Sequence, residues 1–501
     1  MAQHKPDVGS VRRRRVFALS LRILTQNRMT RLESRIPELA GIATYAQAGR
    51  VGYSVEENVQ RLLRLHWTER RLMQTMWAHL PSMPVWEAKC ALALHQWYCA
   101  DHADWLRRRV MEMRHPVPVL DEPANKELDS FLEELSRAES PEQFVAGIYG
   151  VALPALRDAY YAHIHHTNPL VDHPTRRFMR FALLEVTEAI EWGNDALAVL
   201  EKDSDAAALA RAWREHLEPY LDAARGIAGD PRVSLDEGDG RRGVRIRSME
   251  PPLPPPSAEK AFIPTFVPKR DKRFRGLYNF EFPPHVVYNA PDAPADERNL
   301  ALLCKRTLEM DVPEVMASFL FERDDQPWEY YLEYSRQLWD EARHAMMGTV
   351  AFESRGVDWT EIPLNIGFSL RLNLHATPQE RQIILYAIEQ SLMAGETGKR
   401  FEYETAVAAG DELSAHFHDY DWADEVLHAR IGRSALRREG ITRDEAVRRG
   451  QEIHERTWKT LEQYKSREPQ INWWPDFVKR VLGKESAVAN RELRAPTIVG
   501  E

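Results

Sequence analysis

The feature that most constrains this chain is a five-residue motif, Asp-Glu-x-x-His, which occurs at residues 340–344 and again at residues 424–428. Both copies lie in segments whose apolar residues recur every three or four positions, and this pattern predicts α-helices. Residues three apart share one helical face, so the Glu carboxylate and the His imidazole can bind the same metal ion. The duplicated motif therefore predicts two helices that face each other across a metal site.

Each motif has a glutamate upstream at a distance that suits an antiparallel partner helix. Glu309 lies 32 residues before Glu341, and Glu396 lies 29 residues before Glu425. Four helices would then supply Glu, Glu-x-x-His, Glu and Glu-x-x-His, which is the ligand set of two-metal carboxylate bundles. The predicted metal ligands are Glu309, Glu341, His344, Glu396, Glu425 and His428.

Two of these ligands have alternates that the sequence leaves open. Glu314 competes with Glu309, because Pro313 can kink the helix and turn either carboxylate inward. Glu389 competes with Glu396, because residues seven apart lie on the same face of a helix. In both cases the carboxylate that reaches the centre depends on the local path of the helix.

The charges of the predicted ligands suit a pair of buried cations. Four carboxylates can offset two divalent ions in the protein interior, and carboxylates combined with imidazoles suit hard to borderline ions. Glu341 and Glu425 are expected to bridge the two ions and are therefore the predicted catalytic carboxylates.

The aspartate at the start of each motif has a predicted supporting role. A metal-bound imidazole usually donates its other N–H to a carboxylate or carbonyl, which fixes the tautomer and the ring orientation. We expect Asp340 to accept from His428, and Asp424 to accept from His344.

The stretches 309–314, 339–344, 395–396, 408–411 and 423–428 resemble the ferritin-like di-iron carboxylate superfamily. In particular they resemble a bacterial ferritin-like family of unknown function related to tRNA-hydroxylating di-iron enzymes. The resemblance covers about residues 299–440. It implies an all-α fold with a ferritin-like four-helix bundle, two iron ions, and an O2-dependent oxygenase or oxidase.

The same resemblance implies how the ligands are shared and what else the reaction needs. Glu309, Glu341 and His344 would hold one ion, and Glu396, Glu425 and His428 the other; manganese or a mixed Mn/Fe pair also suits these ligands. The partners are O2, an unidentified substrate and an external electron donor such as a ferredoxin or reductase, since the sequence has no flavin, nicotinamide or iron–sulfur motif. A ferroxidase or iron-handling protein, and a non-catalytic ferritin-like scaffold, are the alternatives.

The N-terminal half resembles a degenerate copy of the C-terminal half. Trp86, Trp97 and His102 repeat the spacing of Trp328, Trp339 and His344. In this register Cys99 replaces Glu341, which removes a bridging carboxylate. The remaining counterparts are Glu188 and Glu191 for the second motif, with Glu69 and Asp158 near the positions of the single glutamates. We therefore expect two tandem bundles, of which the first is kept for packing and provides a cover or a homodimer contact.

The distribution of proline and glycine suggests the domain boundaries. A Pro-rich stretch with interspersed aromatic residues separates the two helical halves, and we expect it to form an ordered strap. The predicted segments are a basic N-terminal segment (1–50), a degenerate ferritin-like helical domain (51–227), the strap (228–298), a ferritin-like di-metal domain (299–440), and a C-terminal helical segment and tail (441–501).

The composition of the chain limits the partners and the cellular compartment that can be expected for it. A net charge of −9 argues against a general nucleic-acid-binding surface, and no apolar stretch approaches the length of a membrane span. Three scattered cysteines favour a reducing compartment. The run Arg12–Arg15 precedes an apolar stretch that Arg22 interrupts, which is not the pattern of a signal peptide. Together these features predict a cytoplasmic protein.

Overall fold

The computed structural model describes residues 36–114, 116–229, 252–290, 292–393, 397–467 and 472–488. Within these ranges every regular element is a helix, so the all-α prediction is confirmed. The basic run Arg12–Arg15 lies outside the described residues, as does Glu396. None of the described helices is long and apolar enough to cross a membrane.

The N-terminal half is built on two long helices that pack against each other. They are α2 (Val55–His79) and α3 (Trp86–Met113), preceded by the short α1 (Tyr45–Ala48). Five further helices follow: α4 (Lys126–Leu135), α5 (Pro141–Gly147), α6 (Leu153–His166), α7 (His173–Leu200) and α8 (Ser204–Ala223).

The C-terminal half holds the helices that carry the predicted ligands. In chain order its helices are α9 (Pro283–Tyr288), α10 (Ala295–Leu308), α11 (Asp311–Glu322), α12 (Trp328–Glu353), α13 (Gly367–His375), α14 (Pro378–Leu392), α15 (Lys399–Ala408), α16 (Glu412–Arg438), α17 (Arg443–Trp458) and α18 (Trp474–Leu482). α12 and α14 both pack against α16, and α10 packs against α12. These contacts bring the two Glu-x-x-His motifs to one place.

Several helix ends are set by local sequence. Ser54 and Thr377 form capping boxes with the glutamates three residues on, and Pro378 occupies the first turn of α14, where its missing N–H costs nothing. Gly410 adopts a left-handed φ of 68° after α15, and Asp411 accepts from Ser414 N at the start of α16. Each of these helix ends is thus set by residues within one turn of it.

The described part of the Pro-rich strap lies against both halves. Its Lys269 N–H donates to Pro81 O in the N-terminal half, while Arg275 O accepts from Leu364 N in the C-terminal half. Phe274, Phe280 and Phe282 of the strap are buried. An apolar side chain in a linker is ordered when it can bury its surface, and these three rings accordingly hold the described part of the strap against the helices.

The two halves share one continuous hydrophobic core. α3 packs along α12, and Gln96 of α3 donates to the backbone oxygen of Ser335 in α12, at 2.8 Å. Gln96 also accepts from Trp77 Nε1 at 2.8 Å. α3 begins at Trp86 and α12 begins at Trp328, the two tryptophans that start the repeated spacing in the sequence. The halves are therefore packed against each other through the helix that carries Glu341.

A buried group of charges joins the halves to the strap, and we call it the interface ion cluster: Lys89, Arg270, Asp311 and Glu314. Lys89 and Arg270 both donate to Glu314, and Lys89 also donates to Pro81 O at 3.1 Å. Burial lowers the pKa of Lys89 to about 8, although Glu314 opposes this shift. A buried charge of this kind is tolerated only when paired.

Loss of one partner from the interface ion cluster should destabilise the protein. We expect Lys89→Met to lower the free energy of unfolding by about 3 kcal/mol, because it leaves the Glu314 charge buried with one cation fewer. Urea unfolding followed by circular dichroism measures the change. Lys260→Met is the control, since Lys260 is exposed; equal effects of the two variants would contradict the prediction.

Candidate metal centre

Two adjoining groups of ligand atoms form a buried centre between α10, α12, α14 and α16. Site A consists of Glu341, Glu389, Glu425 and His428, and site B of Glu309, His344 and Asp421. Within each site the ligand atoms lie within 4.8 Å of one another. All these side chains are buried except that of Glu309, which is partly buried at the end of α10.

Helical spacing explains why α16 supplies three of these residues. Asp421, Glu425 and His428 are separated by four and then three positions, so they lie along one face of the helix. α12 supplies Glu341 and His344 at the same three-residue spacing. Because α12 packs on α16, the two faces meet and each histidine approaches carboxylates of the other helix.

The donor atoms of the centre are suited to a cation. Buried polar groups normally have hydrogen-bond partners, yet in six side chains of the centre a buried N or O atom has none among the described residues. These atoms are Glu341 Oε1, His344 Nδ1, Glu389 Oε2, Asp421 Oδ2, Glu425 Oε2, and both His428 Nδ1 and His428 Nε2. Oxygen and imidazole nitrogen atoms are ligands of divalent metals, so these residues fit a metal ion.

Each imidazole has one nitrogen toward the centre and the other toward an aspartate. His428 Nδ1 lies 3.1 Å from Glu341 Oε1 and 3.3 Å from Glu425 Oε2. Its Nε2 lies 3.5 Å from Asp340 Oδ2. The Nδ1 atom is therefore the nitrogen that faces the carboxylates of site A.

His344 has the matching arrangement on the opposite helix. Its Nε2 lies 3.2 Å from Asp424 Oδ2, and its Nδ1 lies 3.1 Å from Asp421 Oδ1. Arg343 donates to Asp424 Oδ2 at 2.8 Å and also contacts Asp340. One arginine thus holds both of the aspartates that were predicted to orient the histidines.

Two buried cations contact the carboxylates of site B. Lys399, at the start of α15, has its Nζ 2.9 Å from Asp421 Oδ1 and 2.9 Å from Glu425 Oε1. Arg306 of α10 donates to Glu309 Oε2 at 2.8 Å and lies 2.6 Å from Asp421 Oδ1. The carboxylates of site B are therefore already paired with side-chain cations.

A third group of possible ligands is filled by Arg306. Glu402, His418 and Asp421 also lie close together. Arg306 Nη2 donates to Glu402 Oε2 at 2.8 Å and to His418 Nδ1 at 2.9 Å. The guanidinium already supplies a positive charge to Glu402 and Asp421, although His418 Nε2 has no hydrogen-bond partner among the described residues.

Burial and like charge shift the protonation of the centre. Burial, together with Glu425 and Glu341, raises the pKa of Glu389 well above its usual value. Burial would lower the pKa of His344, but Asp421 and Asp424 outweigh it and raise the pKa to about 9. A metal ion binds deprotonated carboxylate and neutral imidazole, so it would displace protons from both groups.

The structure distinguishes between some of the alternates. Glu389 lies in site A, whereas Glu396 lies outside the described residues. Glu309 lies in site B, while Glu314 belongs to the interface ion cluster and accepts from Ser369 Oγ at 2.7 Å. Glu314 is therefore removed from the centre.

Two residues of the centre were missed from the sequence. Asp421 lies four positions before Glu425, and this one-turn spacing could have indicated that it shares the ligand face. Nothing in the sequence spacing indicated Lys399, because its side chain points toward the centre only as a result of where α15 begins.

In the N-terminal half one buried histidine, His102, lies between two glutamates. His102 contacts Glu69 Oε1 through Nδ1 at 2.9 Å and Glu185 Oε2 through Nε2 at 2.8 Å. Tyr160 donates to the same Glu69 oxygen at 2.6 Å. Burial would lower the pKa of His102, but the two glutamates raise it to about 9. Both ring nitrogens are engaged, so His102 has none left for a metal.

Three of the expected N-terminal counterparts do not face this histidine. Glu188 and Glu191 are exposed on α7, and Asp158 is exposed on α6, where it pairs with Arg157. The carboxylate that reaches His102 from α7 is Glu185, three positions before Glu188. These three side chains therefore do not line a site around His102, and a register taken from sequence spacing alone does not fix the rotation of a helix.

Comparisons of the chain with protein-family models, with curated proteins and with solved structures gave no match. The case for a metal centre consequently rests on the geometry of sites A and B.

Metal binding should stabilise the folded protein. We expect Mn²⁺ to raise the thermal midpoint of metal-free protein, since a ligand at about 100 times its dissociation constant adds about 2.7 kcal/mol of stability. Glu341→Ala/Glu425→Ala should abolish the rise, as it removes two ligands of site A. Differential scanning calorimetry with and without Mn²⁺ measures the shift.

The matched control also changes two glutamates to alanine. Glu188→Ala/Glu191→Ala alters exposed residues of α7 and should leave the Mn²⁺-dependent rise intact. An equal rise in the Glu341→Ala/Glu425→Ala variant would show that the ion binds elsewhere.

Proposed function

We propose that this protein is a ferritin-like, non-haem di-iron carboxylate enzyme that acts as an O2-dependent oxygenase or oxidase. The observation that carries the proposal is the convergence of buried, unpartnered carboxylate and imidazole atoms from α12, α14 and α16. Such a group is costly to bury without a cation. A scaffold protein has no evident need of it.

In this proposal site A and site B each hold one ion. Glu389, Glu425 and His428 bind the ion at site A, and Glu309, His344 and Asp421 bind the ion at site B. Glu341 can bridge the sites, because its carboxylate faces His428 at 3.1 Å and His344 at 3.6 Å. Glu389 here takes the role that the sequence assigned first to Glu396.

When bound, iron would supply the redox chemistry with O2. The chain's own contribution is to bind and orient the ions and to keep water out. His344 and His428 are inaccessible to solvent, and Glu341 and Glu425 are nearly so, which strengthens electrostatic interactions in the centre. Asp340 and Asp424 hold the imidazoles in the orientation that turns Nδ1 toward the ions.

The donor set favours iron or manganese over other metals. Carboxylate oxygens outnumber imidazole nitrogens, and the three cysteines, all buried and free, are not part of sites A or B. Thiolate ligands would have favoured zinc or copper. Electrons would come from a separate reductase or ferredoxin, because the sequence carries no flavin, nicotinamide or iron–sulfur motif.

Iron loading and oxygen consumption test the proposal. The purified protein, saturated with Fe²⁺ without oxygen, should bind about two iron ions per chain. It should then consume O2 on mixing, with a change in absorbance that free Fe²⁺ in buffer does not give. Elemental analysis, an oxygen electrode and stopped-flow absorbance measure these quantities.

Glu341→Ala/Glu425→Ala should lose both the iron and the O2 reaction, while Glu188→Ala/Glu191→Ala should keep both. Absence of iron from the wild type would refute the proposal. Continued uptake of iron far beyond two ions per chain would instead indicate iron storage.

A further inference from the structure

Lys399 lies inside the proposed metal centre rather than beside it. Its side chain is 1% exposed, and its Nζ contacts Asp421 Oδ1 and Glu425 Oε1, each at 2.9 Å. Glu309 Oε1 lies 3.9 Å from the same nitrogen. The ammonium group therefore contacts both carboxylates of site B and one carboxylate of site A.

The position of Lys399 follows from where two helices end and begin. α14, which carries Glu389, ends at Leu392, and α15 begins at Lys399 after the extended Gly398. On one continuous helix Lys399 would lie about 15 Å beyond Glu389 along the axis, and about 80° away around it. Separate helices allow both side chains to reach Glu425.

We propose that Lys399 makes the two metal sites unequal: its ammonium group stands in for the second ion at site B, so site A binds metal first. Site B then binds a divalent ion only when Lys399 withdraws. This inference rests on the proposed function, because it requires that the protein bind metal. The inference adds to the proposed function a residue that controls the order in which metal ions bind at sites A and B.

The contacts at each site explain the difference. Asp421 Oδ1 is shared among Lys399, Arg306 and His344 at 2.6 to 3.1 Å. An ion that binds Asp421 through the other oxygen, Oδ2, which has no partner among the described residues, still meets the positive charges of Lys399 and Arg306. Glu389 of site A has one neutral hydrogen-bond donor, Gln337 Nε2 at 3.2 Å. Of the site A carboxylates Lys399 contacts only Glu425, so an ion at site A meets two carboxylates, Glu341 and Glu389, that neither Lys399 nor Arg306 contacts.

Lys399 differs from Arg306 in its ability to move. Arg306 is fixed by Glu309, Glu402 and Asp421 at 2.6 to 2.8 Å, and its planar guanidinium matches this fork of carboxylates. Lys399 presents a single ammonium on a flexible four-carbon stem. When Lys399 withdraws, Arg306 stays in place. Asp421 Oδ1 and Glu425 Oε1 then lose their contact with the ammonium group and can bind the second ion.

Mn²⁺ binding to the full-length protein tests the inference without any enzymatic assay. Equilibrium dialysis with elemental analysis should give one tight and one weak Mn²⁺ per chain, with dissociation constants that differ by about 100-fold or more. Electron paramagnetic resonance should show an isolated Mn²⁺ ion after one equivalent. Spin coupling, which needs ions about 4 Å apart, should appear only at high Mn²⁺ concentration.

Removal of the ammonium should make the sites alike. Lys399→Met should reduce the difference between the dissociation constants to about tenfold or less, and coupled Mn²⁺ pairs should appear near two equivalents. Lys305→Met is the matched control, because Lys305 pairs with Glu402 outside sites A and B; it should leave the difference unchanged. Lys399→Gln provides a second variant should Lys399→Met fail to fold, as judged by circular dichroism.

Three outcomes would overturn the inference. Two equally tight Mn²⁺ ions in the wild type would do so while leaving the proposed function intact. An unchanged difference in a folded Lys399 variant, or the same change in Lys305→Met, would show that another feature makes the sites unequal. No Mn²⁺ binding in the wild type would refute the inference together with a metal-binding function.

Discussion

The structure depends on how the protein balances buried negative charge. The five carboxylates of sites A and B lie together in the interior, and an uncompensated carboxylate there costs several kcal/mol. Lys399 and Arg306 supply two of the opposing charges. The imidazoles and Glu389 adjust by protonation, because their surroundings raise their pKa values. Divalent ions would replace those protons, and this exchange couples metal binding to the stability of the fold.

The N-terminal half meets a similar constraint with fewer carboxylates. There the carboxylates of Glu69 and Glu185 face one histidine, His102, whose raised pKa favours the imidazolium. One proton on an imidazole can neutralise one such carboxylate, whereas five carboxylates need stronger compensation. Cys99, which stands where the sequence register places Glu341 in the C-terminal half, adds no further negative charge. Burial raises the pKa of its thiol well above the usual value, so the thiol is neutral. The two halves thus share long packed helices but differ in the charge that those helices must carry.

Periodicity made part of this arrangement predictable from sequence. A three-residue spacing specifies a shared helical face whatever the tertiary fold, so the grouping of Glu341 with His344 and of Glu425 with His428 could be predicted from spacing. The choice between Glu389 and Glu396 depends on where α14 ends, and the inward direction of Lys399 depends on where α15 begins. Gly398 lies at that start, but glycine alone does not specify a rotation. Where a helix ends and how it is rotated depend on tertiary packing, which spacing does not reveal. For the same reason the sequence could not show that Glu188 and Glu191 lie on the exposed face of α7.

The packing of the two halves reaches the centre through one line of contacts. Trp97 of α3 lies under the guanidinium of Arg336 in α12, with 4.9 Å between the ring centroid and Cζ. Arg336 Nε donates to Asp340 at 2.9 Å, and Asp340 lies 3.5 Å from Nε2 of His428. An aspartate held on one side by arginine has a restricted orientation, and it restricts the imidazole that it contacts. The N-terminal half therefore contributes to the geometry of site A through Trp97, although both ring nitrogens of its His102 are bound by glutamates.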